Sequence, residues 1–319
     1  HSVVGIDQSA GMLTRARERF PEVQYEKMGL QEMDFREAFD GATCIDAMEH
    51  VCPEDWPGIL QRFRAAHVCV IGIGGVGSWA AEALTRSAVG RLTLIDLDHV
   101  AESNINRQLH ALSDTLGQAK VVAMAERIRQ INPDCQVEGI ELFIDVDNLA
   151  RLLGRGYDYV IDCTDGFRIK AALIAWCRRN KVRLITVGGA GGQTDPTRIR
   201  IADLSNTEHD ALFSKTRKLL RTDYGFPRNL KRRFDVPCVY SDEQPLFPAA
   251  DGGVCHEKPH RPAAGLNCAG GLGSAMTVTA AFGLAAKQHR DHLEFDRFAV
   301  GRERRRKGGE DASEGAAWR

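Results

Sequence analysis

Nine cysteines are spread along 319 residues without a single C-x-x-C pair. That absence argues against a zinc ribbon and against a paired disulfide framework, and it favours a reducing, cytoplasmic setting. No N-terminal stretch combines the basic, apolar and small-residue zones of a signal peptide, and the first residue is His1 rather than methionine, so a fragment or processed product is expected. Charge of one sign is lacking too: 42 Lys+Arg offset 43 Asp+Glu, for a formal net charge of -1. A global field for nucleic acid is thereby excluded, and any such affinity has to come from a local patch. Long apolar runs are scarce. The uncharged stretch Pro262–Ala286 is interrupted by five glycines, and its apolar part, Met276–Ala286, falls short of the ~20 residues a membrane span needs. It reads as a buried helix, with a membrane helix as the rival, and stable membrane insertion is not expected. No internal repeat of solenoid period is present.

What is there is enough apolar content, 43%, to bury a sizeable core. Two compositions meet near Gln61. Before it, Val3–Asp7 reads as a strand, Ala10–Phe20 as a helix and Ala42–Ala47 as a strand. After it comes a longer alternation. His67–Ile73 is a nearly unbroken apolar strand, followed by a glycine loop, a helix over Ser78–Ala88 and a strand over Leu92–Asp96. Helix Leu116–Asn132, strand Val137–Phe143, strand Tyr157–Cys163, helix Arg168–Asn180 and strand Arg183–Val187 continue the pattern. Alternation of this kind predicts an α/β fold: a Rossmann-like, doubly wound, mainly parallel sheet with helices on both faces. From Gly189 to Gly253 glycines, prolines and charges increase, which predicts a loop-rich C-terminal extension carrying specificity. The expected division is residues 1–60, residues 61–295 and a disordered charged tail over 296–319.

Gly72, Gly74, Gly75 and Gly77 come directly after the first long strand and open a helix. Glycines permit a tight turn and close backbone approach, while a helix N-terminus offers free N–H groups to phosphate. Asp96 ends the next strand roughly 20 residues on, where an acid can bond ribose hydroxyls. By itself this fingerprint signals only a dinucleotide fold. The next residues along the chain point away from hydride transfer: Asp98, then Ser103-Asn104-Ile105-Asn106-Arg107-Gln108, then Lys120, then Asp162-Cys163-Thr164-Asp165. An arginine, a lysine and carboxylates converging on one phosphate chain suit a triphosphate. Arg107 and Lys120 can neutralise phosphate oxygens, and Asp165 can hold Mg²⁺ at a strand's carboxyl end. Taken singly the residues have plainer explanations, Asp98 as a turn cap and Asn104 and Asn106 as turn residues.

With these motifs, His67–Asp165 resembles the adenylating domain shared by ubiquitin-activating enzymes and the bacterial thiamine and molybdopterin activators. The resemblance implies that Asp96, Ser103 to Arg107, Lys120 and Asp165 bind ATP and magnesium. It implies attack of a carboxylate on the α-phosphate, giving an acyl-adenylate and pyrophosphate. The absent C-x-x-C pairs count against the sulfur-carrier activators, although activation of a ubiquitin-like carrier's C-terminus stays as the alternative function. The runs Ala123–Pro133, Lys170–Ala175, Cys177–Lys181, Gly188–Gln193 and Asp195–Thr197 are instead similar to the threonylcarbamoyladenosine dehydratase branch. What that implies is ATP-driven activation of a threonylcarbamoyl carboxylate on a tRNA adenosine, after which the carbamoyl oxygen closes a five-membered ring. Arg107, Lys120 and Asp165 are the catalytic candidates. A homodimer and a cysteine-desulfurase accessory protein are the further partners implied.

A tRNA substrate calls for a basic surface. Lys215, Arg217, Lys218, Arg221, Arg228, Lys231, Arg232 and Arg233 crowd Ser214–Phe234, interleaved with Tyr224 and Phe226 that could stack on unpaired bases. The plain alternative is a solvated helix face. Cys238, Cys255 and Cys268 match cysteine positions of the resembled family; Cys238 is the candidate reactive thiol, against the alternative of buried, inert thiols. Upstream, Val3–Ser9 and Phe39–Val51 resemble an interior slice of a class I methyltransferase, with Asp7 as its ribose-binding acid. That slice lacks the glycine-rich strand-loop, so no complete methyl-donor pocket is expected, and the shortened entry Gln61–Ala66 is expected to weaken ATP binding or dimerisation.

Overall fold

The computed structural model describes residues 4–7, 10–27, 56–249, 253–256 and 273–291. The strand expected over Ala42–Ala47, the tail 296–319 and Cys268 lie outside the described residues. The chain separates into two compact units, His1–Trp56 and Pro57–Arg319.

In the first unit, β1 (Val4–Asp7), α1 (Ala10–Arg19) and β2 (Gln24–Lys27) form one βαβ turn, with β1 parallel to β2. Leu13 is buried, and the Arg17 guanidinium donates to the Tyr25 carbonyl at 3.0 Å.

Helix α2 (Trp56–Ala65) begins at the boundary residue, and the second unit then builds the sheet. Five elements alternate first: β3 (His67–Ile71), α3 (Gly77–Arg86), β4 (Arg91–Ile95), α4 (Lys120–Ile131) and β5 (Gln136–Ile140). The chain then turns back through α5 (Leu149–Leu153) to β6 (Tyr159–Asp162), α6 (Phe167–Arg179) and β7 (Leu184–Val187). Next come β8 (Ile199–Asp203), α7 (Ala211–Asp223) and β9 (Pro237–Ser241), then a short hairpin of β10 (Phe247–Pro248) and β11 (Val254–Cys255). Residues 276–291 form a last helix, α8. Among the described residues no helix is long and apolar enough to cross a membrane.

The seven strands run in the order β5-β4-β3-β6-β7-β9-β8. All pairs are parallel except β8 on β9. This is the predicted doubly wound sheet, with the strand order reversing between β3 and β6. Side chains alternate across a strand. Cys69 and Ile71 therefore pack on one face with Leu173, Ile174 and Cys177 of α6, and Val68 and Val70 are fully buried on the other. Right-handed crossovers on either side of the reversal require helices on both faces. Ile71 is in register with Ile95 on one side and Asp162 on the other, so three strands end at one level. The loops leaving these three strands therefore enter a single crevice, which is where ligands of such sheets lie.

Two elements differ from the sequence expectation in ways that matter to that crevice. Helix α4 starts at Lys120 rather than Leu116, because Gly117 takes φ +83° and Ala119 pairs with His99 as an extended bridge. That pinning fixes the helix's first residue, Lys120, whose N–H donates to the Asp98 carbonyl at 2.9 Å. Helix α8 runs past Ala286, burying Val278, Phe282, Ala286 and Arg290 at four-residue spacing. It lies against the start of α3: a Cβ on Gly283 would stand 2.6 Å from the Val76 carbonyl oxygen.

Candidate active site

A cleft of about 760 Å³ opens over the carboxyl ends of β3, β4, β6 and β7. Its floor is the turn after β3. Gly72 has φ +84°, and a Cβ there would come 2.9 Å from the Cys163 carbonyl oxygen, so the loop passes tightly over the end of β6. Gly77 plays a different part from the one its motif implies. It does not line the cleft, and a Cβ on it would sit 1.9 Å from the Gly72 carbonyl oxygen, so its role is to let α3 close onto the turn. Gly74 and Gly75 do line the cleft, and the nearest atom to a Cβ on Gly74 is Gln108 Nε2 at 3.9 Å. That position is open for a ligand.

Asp96 joins the two loops. Its Oδ2 accepts from Ile73 N–H at 2.6 Å and its Oδ1 from Asp98 N–H at 2.8 Å. Burial raises its pKa above the ordinary carboxylate value, against the opposing pull of Lys120. The remaining lone pairs of this carboxylate border the cleft. Lys120 reaches in from the first turn of α4. Its side chain is 7% exposed, and Nζ donates to Asp98 Oδ2 at 2.7 Å, while the Asp98 side chain is 72% exposed. A nearly buried ammonium thus faces the cleft with one solvated carboxylate as its partner.

The run 103–107 divides its labour. Asn104 lines the cleft, but its Oδ1 accepts from Ala101 N–H at 3.0 Å and so closes the turn. Ser103 and Asn106 stand outside the cleft; the Ser103 carbonyl and the Asn106 Oδ1 each accept from Arg107 Nη1 at 2.8 Å. These two residues orient the arginine. Arg107 itself borders the cleft.

Asp162 and Asp165 separate sharply. Asp162 is fully buried, and its Oδ2 accepts from Lys170 Nζ and from Thr186 Oγ1, each at 2.7 Å. Its Oδ1 takes Thr164 N–H at 3.0 Å and Thr164 Oγ1 at 2.7 Å. The expectation that Asp162 contacts nucleotide is corrected: every lone-pair direction is committed inside the protein. Asp165, three residues on, is exposed and lines the cleft.

Cys238 is likewise corrected as a reactive thiol. It lies fully buried on β9, its Sγ donates to the Ala202 carbonyl at 3.3 Å, and burial pushes its pKa far up. Cys255 is half-buried.

The basic segment 214–234 is not one surface. Lys218, Arg228, Lys231, Arg232 and Arg233 are exposed. Arg217 turns inward to the Thr207 hydroxyl, and Arg221 lies 5.0 Å over the Phe234 ring. Tyr224 and Phe226 pack against the core instead of standing free for bases. Lys215 alone of the eight lines the cleft.

Gln108 and Gln193, which stand in the motifs but were given no role, line the cleft, as do Phe143, Phe167, His209 and Thr279, which the motifs did not mark. The glycine run before Gln193, placed just after a strand, was a signal for one of them.

Glycine turns, a nearly buried lysine and an exposed carboxylate at the ends of a parallel sheet define a nucleotide-binding α/β protein. The model of the ThiF family matches residues 47–280, and that of a methyltransferase domain matches residues 1–67. The chain belongs to the ThiF family and groups with its tRNA threonylcarbamoyladenosine dehydratases. It is 52% identical over 235 residues to the tRNA threonylcarbamoyladenosine dehydratase of Escherichia coli, covering 72% of this chain and 86% of that protein. The Bacillus subtilis enzyme of the same name is 42% identical over 187 residues, 59% of this chain and 71% of the relative. The solved structure of the E. coli enzyme in complex with ATP has 47% identity and a TM-score of 0.68, over 76% of this chain and 91% of that one. A solved complex with AMP matches at 48% identity with the same TM-score, 0.68.

Proposed function

We propose that this chain catalyses the ATP-dependent dehydration of threonylcarbamoyladenosine in tRNA, by adenylating its carboxylate and letting the carbamoyl group close onto the activated carbon. Net loss of water results because the carboxylate oxygen leaves on AMP, while pyrophosphate departs in the first step and a proton is lost on ring closure. The observation that carries the reading is the Lys120 ammonium, 7% exposed and 2.7 Å from Asp98, in one cleft with Arg107, Asp96 and Asp165.

The residues present fit ATP. Gln108 lines the cleft with a buried Oε1 that has no hydrogen-bond partner, and a buried acceptor of that kind calls for a donor. Asp96 suits a ribose, the open Gly74 backbone suits phosphate, and Lys120 and Arg107 suit the charge that develops on it. Asp165 suits Mg²⁺, which is commonly bound by one or two carboxylates together with substrate phosphates. Magnesium there would offset phosphate charge. The protein's own contribution is to hold the carboxylate against the phosphate and to neutralise the charge that builds up, so no protein nucleophile is required.

The exposed Lys218, Arg228, Lys231, Arg232 and Arg233 support contact with the tRNA backbone. Exposed Ile105, Leu112, Leu116 and Val122, 44% to 54% accessible, support a homodimer. A tRNA substrate accords with a cytoplasmic setting.

Pyrophosphate release separates this reading from its rival. Release should require tRNA bearing threonylcarbamoyladenosine and should not occur with a carrier protein ending in diglycine. Release with the carrier alone would overturn the proposal.

A further inference from the structure

The cleft has two unlike walls. After β3 and β4 it carries the phosphate-binding equipment: the glycine turn, Arg107, and Lys120 paired with Asp98. After β6 and β7 it carries no phosphate-binding cation, and Asp165, the acid suited to Mg²⁺, is its one contribution to that equipment. There the wall is Phe167 at the start of α6, the glycine run ending in Gln193, and the first turns of α7. Two features of this second wall lack an explanation within the fold.

The first is Lys215. It lies one turn into α7, on the cleft side, and its Nζ stands 5.5 Å from the centroid of the Phe167 ring. The contact described for this ammonium is an aromatic face, not a carboxylate. The nearby Asp210 is already committed: its Oδ1 accepts from Phe213 N–H at 2.8 Å and its Oδ2 from Gly189 N–H at 2.9 Å. An aromatic face holds an ammonium in place while leaving its N–H donors open to an anion.

The second feature is Gln193. It is 2% exposed, lines the cleft, and its Oε1 has no hydrogen-bond partner. Its backbone is fixed on both sides. Gly192 N–H donates to the Gly273 carbonyl at 2.8 Å, and Thr194 N–H donates to Glu243 Oε2 at 3.0 Å. A rigidly held, buried and unpaired acceptor is costly to the free protein and becomes satisfied when a ligand supplies an N–H.

We propose that Lys215 receives the carboxylate of the acyl substrate, and that Gln193 accepts a hydrogen bond from an N–H of the carbamoyl group to which that carboxylate is attached. This rests on the function proposed above and deepens it by naming the residues that distinguish the modified tRNA from an unmodified one. The physical need is plain. A carboxylate approaching a phosphate chain meets repulsion between like charges, and a cation on the far wall offsets it without competing for the phosphates. Lys215 is therefore a substrate-binding residue separate from the exposed basic segment, whose side chains suit backbone phosphates of any tRNA.

The test is equilibrium binding in the presence of a non-hydrolysable ATP analogue. Two tRNAs are compared, one bearing threonylcarbamoyladenosine and one with plain adenosine at that position. Wild type should prefer the modified tRNA. Lys215→Met should lose that preference by about tenfold or more, in line with the loss of a charge-assisted hydrogen bond. Its affinity for the unmodified tRNA and for the ATP analogue should stay unchanged, and Lys215→Arg should restore part of the preference. Gln193→Leu should weaken the modified tRNA selectively. Lys231→Ala, by contrast, should weaken both tRNAs alike and reduce the salt dependence. Since Lys215 is exposed on a helix, Lys215→Gln serves as a second, equally uncharged variant with a polar head. Retention of the full preference in both Lys215→Met and Lys215→Gln would overturn the proposal and leave the proposed function standing. Equal weakening of both tRNAs would also overturn it, since Lys215 would then be a phosphate contact. A wild-type protein without any preference would overturn both readings.

Discussion

Lys170→Met removes the positive partner of Asp162 where water cannot compensate. Both side chains are 0% exposed, with 2.7 Å between Nζ and Oδ2. The variant leaves Asp162 with three hydrogen bonds, from Thr164 N–H, Thr164 Oγ1 and Thr186 Oγ1, but with no countercharge. Removing one member of a buried ion pair costs about 3–5 kcal/mol, mainly because the remaining charge is stranded in a poor solvent. For a unit of this size each kcal/mol moves the melting temperature by roughly 2–4 °C, so a drop of about 6–20 °C is expected. Calorimetric melting of wild type, Lys170→Met and the double variant Asp162→Asn/Lys170→Met reads the effect. The double variant should recover at least half of the loss, because the stranded charge is gone. Since the Asp162 oxygens are all engaged inside the protein, the double variant should also retain pyrophosphate release. A shift below about 3 °C in Lys170→Met, or a double variant no better than the single, would refute the reasoning.

His110 is 1% exposed with neither ring nitrogen hydrogen-bonded, and burial, followed by the charges of Lys120 and Arg127, lowers its pKa from 6.5 to about 4. The folded imidazole therefore stays neutral while the unfolded one protonates near 6.5. Stability is complete above that pH and falls as pH drops toward 4, by roughly 2 kcal/mol at pH 5. Urea midpoints at pH 5 and 7.5 should show this loss in wild type and a smaller one in His110→Leu; equal losses would contradict it. Among the glycines, Gly77→Ala forces a Cβ to 1.9 Å from the Gly72 carbonyl oxygen and should cost about 2 kcal/mol or more. Gly74→Ala has nothing nearer than 3.9 Å, so its stability should hold within about 0.5 kcal/mol while ATP affinity, measured by calorimetry, falls severalfold. Unchanged ATP affinity in Gly74→Ala would remove that residue from the nucleotide site.

The central strands were legible because β3, β6 and β7 are buried along their whole length and read as continuous apolar runs. Strand β8 was not, since Arg200 and Ile201 are exposed on an edge and the run carries no alternation that a burial pattern could imprint. Which of two acids would face the cleft could not be told from spacing. The deciding residue is Lys170, which sits one helical turn beyond the start of α6 and draws Asp162 inward, leaving Asp165 outside. The start of α4 was legible in principle from Gly117, whose positive φ ends the preceding turn. Among the basic residues, composition marked a cluster but not its orientation. Arg217 and Arg221 are turned inward by Thr207 and Phe234, contacts between segments that meet only in the folded chain.

The most direct measurement is the mass of the modified nucleoside recovered from tRNA after incubation with this chain, ATP and magnesium. Threonylcarbamoyladenosine should lose the mass of one water, with one pyrophosphate and one AMP formed per nucleoside, and Lys120→Ala should leave the mass unchanged. An unaltered nucleoside mass with the wild-type chain, or loss of water without any ATP, would contradict the account.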